Sequence, residues 1–90
     1  MTAEPTDTPT SGAAKEQPPH GEGERPKTTV YKRGEHTLWV YQAEGWVHAY
    51  VTARQDYPNG AVVYVVEMPL PEGSFGIRTF AWGKDNIRPA

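Results

Sequence analysis

Across residues 45–53 the chain alternates strictly, with Val47, Ala49, Val51 and Ala53 at one set of positions and Trp46, His48, Tyr50 and Thr52 at the other. Successive side chains of a strand project to opposite faces, so this stretch is predicted to have one core face and one aromatic, polar face. Just upstream, in residues 36–42, Leu38 and Val40 alternate with Trp39 and Tyr41, and Ala43-Glu44-Gly45 makes a tight connection. The two runs read as an antiparallel hairpin with rings on one side of both strands.

Further along, Tyr57-Pro58-Asn59-Gly60 is the strongest turn signal, because proline presets a negative φ while asparagine and glycine tolerate a positive one. The run Ala61-Val62-Val63-Tyr64-Val65-Val66-Glu67 is nearly all β-branched or aromatic and is placed centrally, where both edges are paired. Met68-Pro69-Leu70-Pro71-Glu72-Gly73 is a loop, since two prolines remove ladder donors, and it makes a semi-rigid rim for a binding groove. Residues 74–82 form the next strand, with Phe75, Ile77, Thr79 and Ala81 on one side, Arg78, Phe80 and Trp82 on the other, and Gly76 marking a bulge or bend. Gly83-Lys84-Asp85-Asn86 reads as a turn and Ile87-Arg88-Pro89 as a short closing strand. Before the hairpin, Thr28 to Tyr31 adds an edge strand and Lys32-Arg33-Gly34-Glu35 a turn. The expected fold is all-β: a small, partly open barrel of four to five antiparallel strands.

The spacing Trp46-x-x-Ala49-x-Val51, the β run after it and the closing Ile87-Arg88-Pro89 resemble the Tudor/agenet branch of SH3-like barrels over Leu38 to Pro89. Residues 80–89 are also similar to the turn and last strand of SH3 domains. The resemblance implies an SH3-like barrel that acts as a binding module, in which aromatic residues near the strand tips recognise a peptide or a modified side chain. Trp46 alone is carried over, as the tryptophan that opens the second strand. The acidic-aromatic sequence that SH3 domains use in their first long loop is missing, as is a second cage residue.

Composition divides the chain unequally. All ten aromatic residues lie at or after Tyr31, so residues 1–28, rich in Pro, Thr, Glu and Gly, are expected to be a disordered tail and residues 29–90 the barrel domain. Within the tail, Gln17-Pro18-Pro19-His20 is a candidate polyproline docking site and Thr6, Thr8, Thr10 and Ser11 are candidate phosphorylation sites. A solubilising tail accounts for the same composition more simply. The 90 residues contain no cysteine, which excludes disulfides and cysteine-based metal centres and fits a reducing, cytoplasmic setting. Met1-Thr2-Ala3-Glu4-Pro5 has neither a basic start nor an apolar stretch, so no secretory signal is expected. The apolar run from Ala61 to Val66 is too short to span a bilayer.

Net charge is −2, carried by residues 1–29, while the remainder is balanced, with six acidic and six basic side chains. A neutral barrel lacks the broad basic footprint of phosphate-driven binding. Catalysis finds no support either: Ser11 and Ser74 are the only serines, without a nucleophile motif, and no cofactor is implied. His36 and His48 have only Glu35 and Glu44 nearby and no metal-ligand spacing, so no metal site is expected. Arg54, Arg78 and Arg88 can stack on rings or pair with an anion, but read first as exposed charges contributing about 1 kcal/mol or less per pair.

What remains is an aromatic excess on the face assigned away from the core: Trp39, Tyr41, Trp46, Tyr50, Phe80 and Trp82, with His48 among them. Two uses of these rings stay open, plugging the barrel ends or contacting a partner. The functional expectation is a non-catalytic module that binds a protein or peptide through Trp46. Trp39, Tyr41, Tyr50 and Trp82 help, while His48 and Arg78 add specificity. Alternatives are a single-stranded nucleic-acid binder that uses the rings as stacking platforms, and an accessory subunit that buries this face in an oligomer.

Overall fold

The computed structural model describes residues 4–10, 12–16, 25–43, 45–70, 72–83 and 85–90. Among them there is no helix, and hence none long and apolar enough to cross a membrane. Six strands follow in chain order: β1 (Lys27–Val30), β2 (Thr37–Gln42), β3 (Gly45–Asp56), β4 (Val62–Pro69), β5 (Phe75–Ala81) and β6 (Ile87–Pro89). The sheet order is β5-β4-β3-β2-β6, every pairing is antiparallel, and β1 lies beside the second half of β3. This is the expected small, partly open barrel, with β1 as the short edge strand added to five others.

Local chemistry accounts for the turns. The β2–β3 hairpin closes on Gln42 opposite Gly45, whose φ of 126° is one that side-chain-bearing residues seldom adopt. At the β3–β4 turn the Gly60 N–H donates to the Tyr57 carbonyl (2.9 Å), and the Ala61 N–H donates to Asn59 Oδ1 (2.9 Å). The asparagine side chain thus completes the reversal that the Pro-Asn-Gly sequence begins.

The alternation of β3 does not run unbroken to Ala53. Val51 is opposite Val66 and Ala53 opposite Val65, so Thr52 is an extra residue, a β-bulge. Its hydroxyl donates to the Val65 carbonyl (3.0 Å), and its own carbonyl accepts from the Tyr31 N–H (3.0 Å). Beyond the bulge the faces exchange: Ala53 leaves the core row and joins the outward row with Val30 and Val65. The bend also frees the second half of β3 to pair with β1 where β2 has ended.

The core consists of Leu38, Val40, Ala49, Val51, Val66, Met68, Phe80 and Ile87, with Ala14 inserted from the N-terminal segment. Two expectations for β5 are corrected here. Phe80 is not an outward ring: it is 2% exposed, whereas Phe75 and Ile77 are 55% and 61% exposed. Register explains this, because Gly76, Arg78 and Phe80 stand opposite Met68, Val66 and Tyr64, and partners across a ladder share a face. Gly76 is not a bulge either, since pairing continues through it. A Cβ there would come within 2.6 Å of Leu70 Cδ1, so the missing side chain makes room for the leucine.

Residues 4–10 and 12–16 hold no named strand, in keeping with a segment poor in large apolar groups, and they lie against the barrel as a strap. The Ala14 N–H donates to the Tyr41 carbonyl (2.8 Å), the Lys15 carbonyl accepts from the Ala81 N–H (3.1 Å), and Glu16 bridges Phe80. The Asn86 side-chain amide donates to the Gly12 carbonyl (3.3 Å). The strap therefore runs from the β6 side past the end of β2 to β5, and gives the β5 edge backbone partners. Pro9 and Ala14 are its buried residues. The candidate docking sequence Gln17-Pro18-Pro19-His20 and Ser11 lie outside the described residues.

Candidate binding face

The hairpin register sets the site. Tyr41 stands opposite Trp46, Trp39 opposite His48 and Thr37 opposite Tyr50, and β6 adds Arg88 opposite Trp39. Because Leu38, Val40, Ala49 and Val51 turn inward, these partners are forced onto the other wall. The rings meet tilted or edge to face: Tyr41–Trp46 at 5.2 Å, Trp39–His48 at 5.1 Å and His48–Tyr50 at 5.5 Å between centroids. Such cross-strand aromatic pairs contribute roughly 0.2–1 kcal/mol each beyond alanine. All five are half-buried, and none belongs to the core cluster. They line one wall as a ladder made of a Tyr41–Trp46 pair and a Trp39–His48–Tyr50 run, each ring partly exposed to solvent.

A cation caps each end. The Arg88 guanidinium lies 4.7 Å from the Trp46 ring centre and that of Arg33 lies 5.2 Å from the Tyr50 ring centre. Arg33 also pairs with Glu67 (3.2 Å) on the neighbouring strand. Arg88 grips both carboxylate oxygens of Asp7 at 2.8 Å, and the Trp46 indole N–H donates to the Asp7 carbonyl (2.9 Å). The Asp85 carbonyl accepts from Arg88 as well (3.1 Å), with the Asp85 carboxylate at 3.8 Å. The hydrogen bond from Arg88 lowers the Asp7 carboxyl below its ordinary value and, from the other side, raises the guanidinium.

That depression has a sign. A carboxylate whose folded-state pKa is lowered holds its attachment at any pH above the ordinary value of 3.8 and releases it as the pH falls through the lowered one. The Trp46 indole N–H resonance is therefore expected to stay in place from neutral pH down to about pH 5 and to move only in stronger acid. Movement already near pH 6 would mean that another group governs the contact.

Of the seven side chains singled out from sequence, the ladder unites Trp39, Tyr41, Trp46, His48 and Tyr50. Arg78 belongs to the core-side row of β5, lines a cavity of about 400 Å³ together with Gln42, Val47, Met68 and Leu70, and pairs with Glu16 at 3.2 Å. Trp82, 41% exposed, packs edge-on against Tyr64 (5.8 Å) rather than joining the ladder. Arg54 is 5.9 Å from that same tyrosine ring and pairs with Asp56 at 2.9 Å, which raises the arginine's pKa. Arg33 and Asp7 were not marked by the sequence. The outward position of Arg88 follows from its place beside the inward Ile87, but Asp7 sits in a polar stretch with no pattern to distinguish it. His36 packs on Tyr31 (4.2 Å), and among the described residues no three His, Asp or Glu side chains converge as metal ligands.

No family model matches the chain, and no curated protein or solved structure does so either.

Proposed function

We propose that this chain is a non-catalytic binding module that captures a protein or peptide through the Trp39, Tyr41, Trp46, His48 and Tyr50 ladder. The observation that carries the reading is five half-buried rings on a sheet wall outside the core cluster, packed as a Tyr41–Trp46 pair and a Trp39–His48–Tyr50 run, with a guanidinium over each end. Rigid rings with polar tips bury apolar area at low entropic cost and still offer hydrogen bonds, which is why such residues dominate interface energetics. The Tudor/agenet resemblance belongs to the same reading, since it too puts recognition on the tryptophan that opens β3. A phosphate backbone is the less suitable occupant, because residues 30–90 carry six acidic and six basic side chains and so lack a broad basic footprint.

Affinity capture from a lysate of the source organism tests the proposal, with the wild type run beside Trp46→Ala and Trp39→Ala. Capture is expected to fall by roughly thirtyfold or more in each variant, the loss typical of a central aromatic anchor, while cooperative unfolding is retained. Equal capture by all three proteins would overturn the reading. So would global unfolding of both variants, which would make the rings part of the core.

A further inference from the structure

We infer that the corner formed by Arg88 and Trp46 is a carboxylate-reading site for an acidic segment of a protein partner, and that Asp7 of the strap is its occupant in cis. The inference rests on the binding-module reading and adds the chemistry of what is bound.

Asp7 is held in two chemically distinct ways at once. Its carboxylate receives both arms of the Arg88 guanidinium, and its backbone carbonyl accepts the Trp46 indole N–H. A planar fork fits a carboxylate and a lone indole donor fits a peptide carbonyl, so together they describe one acidic residue at a bend of the chain. The fork is also oriented in advance, with the Trp46 ring beneath it and the Asp85 carbonyl beside it. Two residues later in the occupant comes Pro9, which is buried, so an aspartate, any residue and a proline is the pattern seated here.

The hold is built for exchange. The Asp7 side chain is 56% exposed, and the contact joins residues 81 positions apart in sequence. Exposed ion pairs are weak, so Asp7 keeps its place largely through the high effective concentration set by the strap, which is anchored nearby at Gly12, Ala14 and Lys15. A partner segment with the same aspartate, continuing over the ladder toward Arg33 and Tyr50, makes contacts enough to replace it.

The test uses the full chain carrying Asp7→Lys, which sets like charge against Arg88 and vacates the corner. Its Trp46 indole N–H resonance is expected to leave the wild-type position. A synthetic peptide with the sequence of residues 4–10 should return it, at concentrations on the order of millimolar for a single exposed clamp. A twin peptide with asparagine at the aspartate should need about fivefold more, and the further change Arg88→Gln should abolish that preference. An unmoved resonance in Asp7→Lys, or equal action of the two peptides, would overturn the inference. A thymidine oligonucleotide acting at lower concentration than the aspartate peptide would make the corner a phosphate site and would overturn it too. These peptides report on the corner alone, so their failure leaves capture by the ladder standing. Equal capture by wild type, Trp46→Ala and Trp39→Ala would sink the ladder and leave the peptide result intact.

Discussion

Phe80→Ala is expected to cost about 3–5 kcal/mol of folding stability, the range for truncating a fully enclosed aromatic ring. Phe80 is among the largest fully buried side chains, and it belongs to the core cluster that also holds Val66, Ile87 and Ala14. Small domains rarely hold more than roughly 5–15 kcal/mol in reserve, and this one has no cysteine with which to brace itself. The variant should therefore unfold at a markedly lower urea concentration with an unchanged slope, and at ambient temperature a measurable fraction should already be unfolded. A loss below about 1 kcal/mol would place the ring at the surface. The same truncation at Trp46 should leave the unfolding transition cooperative, because Trp46 stands outside the core cluster.

Ala14→Asp is expected to release the strap while leaving the barrel folded. Ala14 is in the core cluster, and its N–H is bound to the Tyr41 carbonyl. A carboxylate cannot stay there unpaired, because burying it costs far more than the exposed ion pairs that fasten the strap can offset. Detachment is the less costly response. Hydrogen exchange reads it directly: the Ala81 amide, which donates to the Lys15 carbonyl, should approach the rate of an unprotected amide, while amides in the centre of β4 keep their protection. Continued protection of Ala81 would show that the strap tolerates the charge. Loss of protection throughout β4 would show that strap and barrel unfold as one.

These outcomes also mark how far the sequence could be read. The hairpin was legible because Leu38, Val40, Ala49 and Val51 are plainly apolar against Trp39, Tyr41, His48 and Tyr50, and the Tyr57–Gly60 turn because its residues each have a backbone preference. The all-β architecture, with β4 between two partners, followed from the same patterning. Strand β5 was harder to orient. Its inward row reads Gly76, Arg78, Phe80 and its outward row Phe75, Ile77, Thr79, so composition favours the wrong side, and only pairing with β4 decides the matter. Ala53 was misplaced because a bulge adds one residue without any change in the local alternation. The strap left no trace in hydrophobic pattern, since it is fastened by backbone groups, two small buried residues and arginines far along the chain. Composition reports what a segment cannot bury, and it is silent on what a barrel edge can hold.

The bulge at Thr52 gives β3 an unusual sensitivity to chain length. Residues before and after it belong to opposite walls, and the loop bearing Arg33 is tied to the bulge from both ends, through Tyr31 to the Thr52 carbonyl and through the His36 carbonyl to Val51. Shortening a turn such as that at Asn59 alters only a connection, whereas deleting Thr52 would leave Val51 opposite Val66 and Ala53 opposite Val65 but straighten the bend and remove the carbonyl that receives the Tyr31 N–H. Natural variation in length should therefore gather at the turns and spare this single threonine's place in the count.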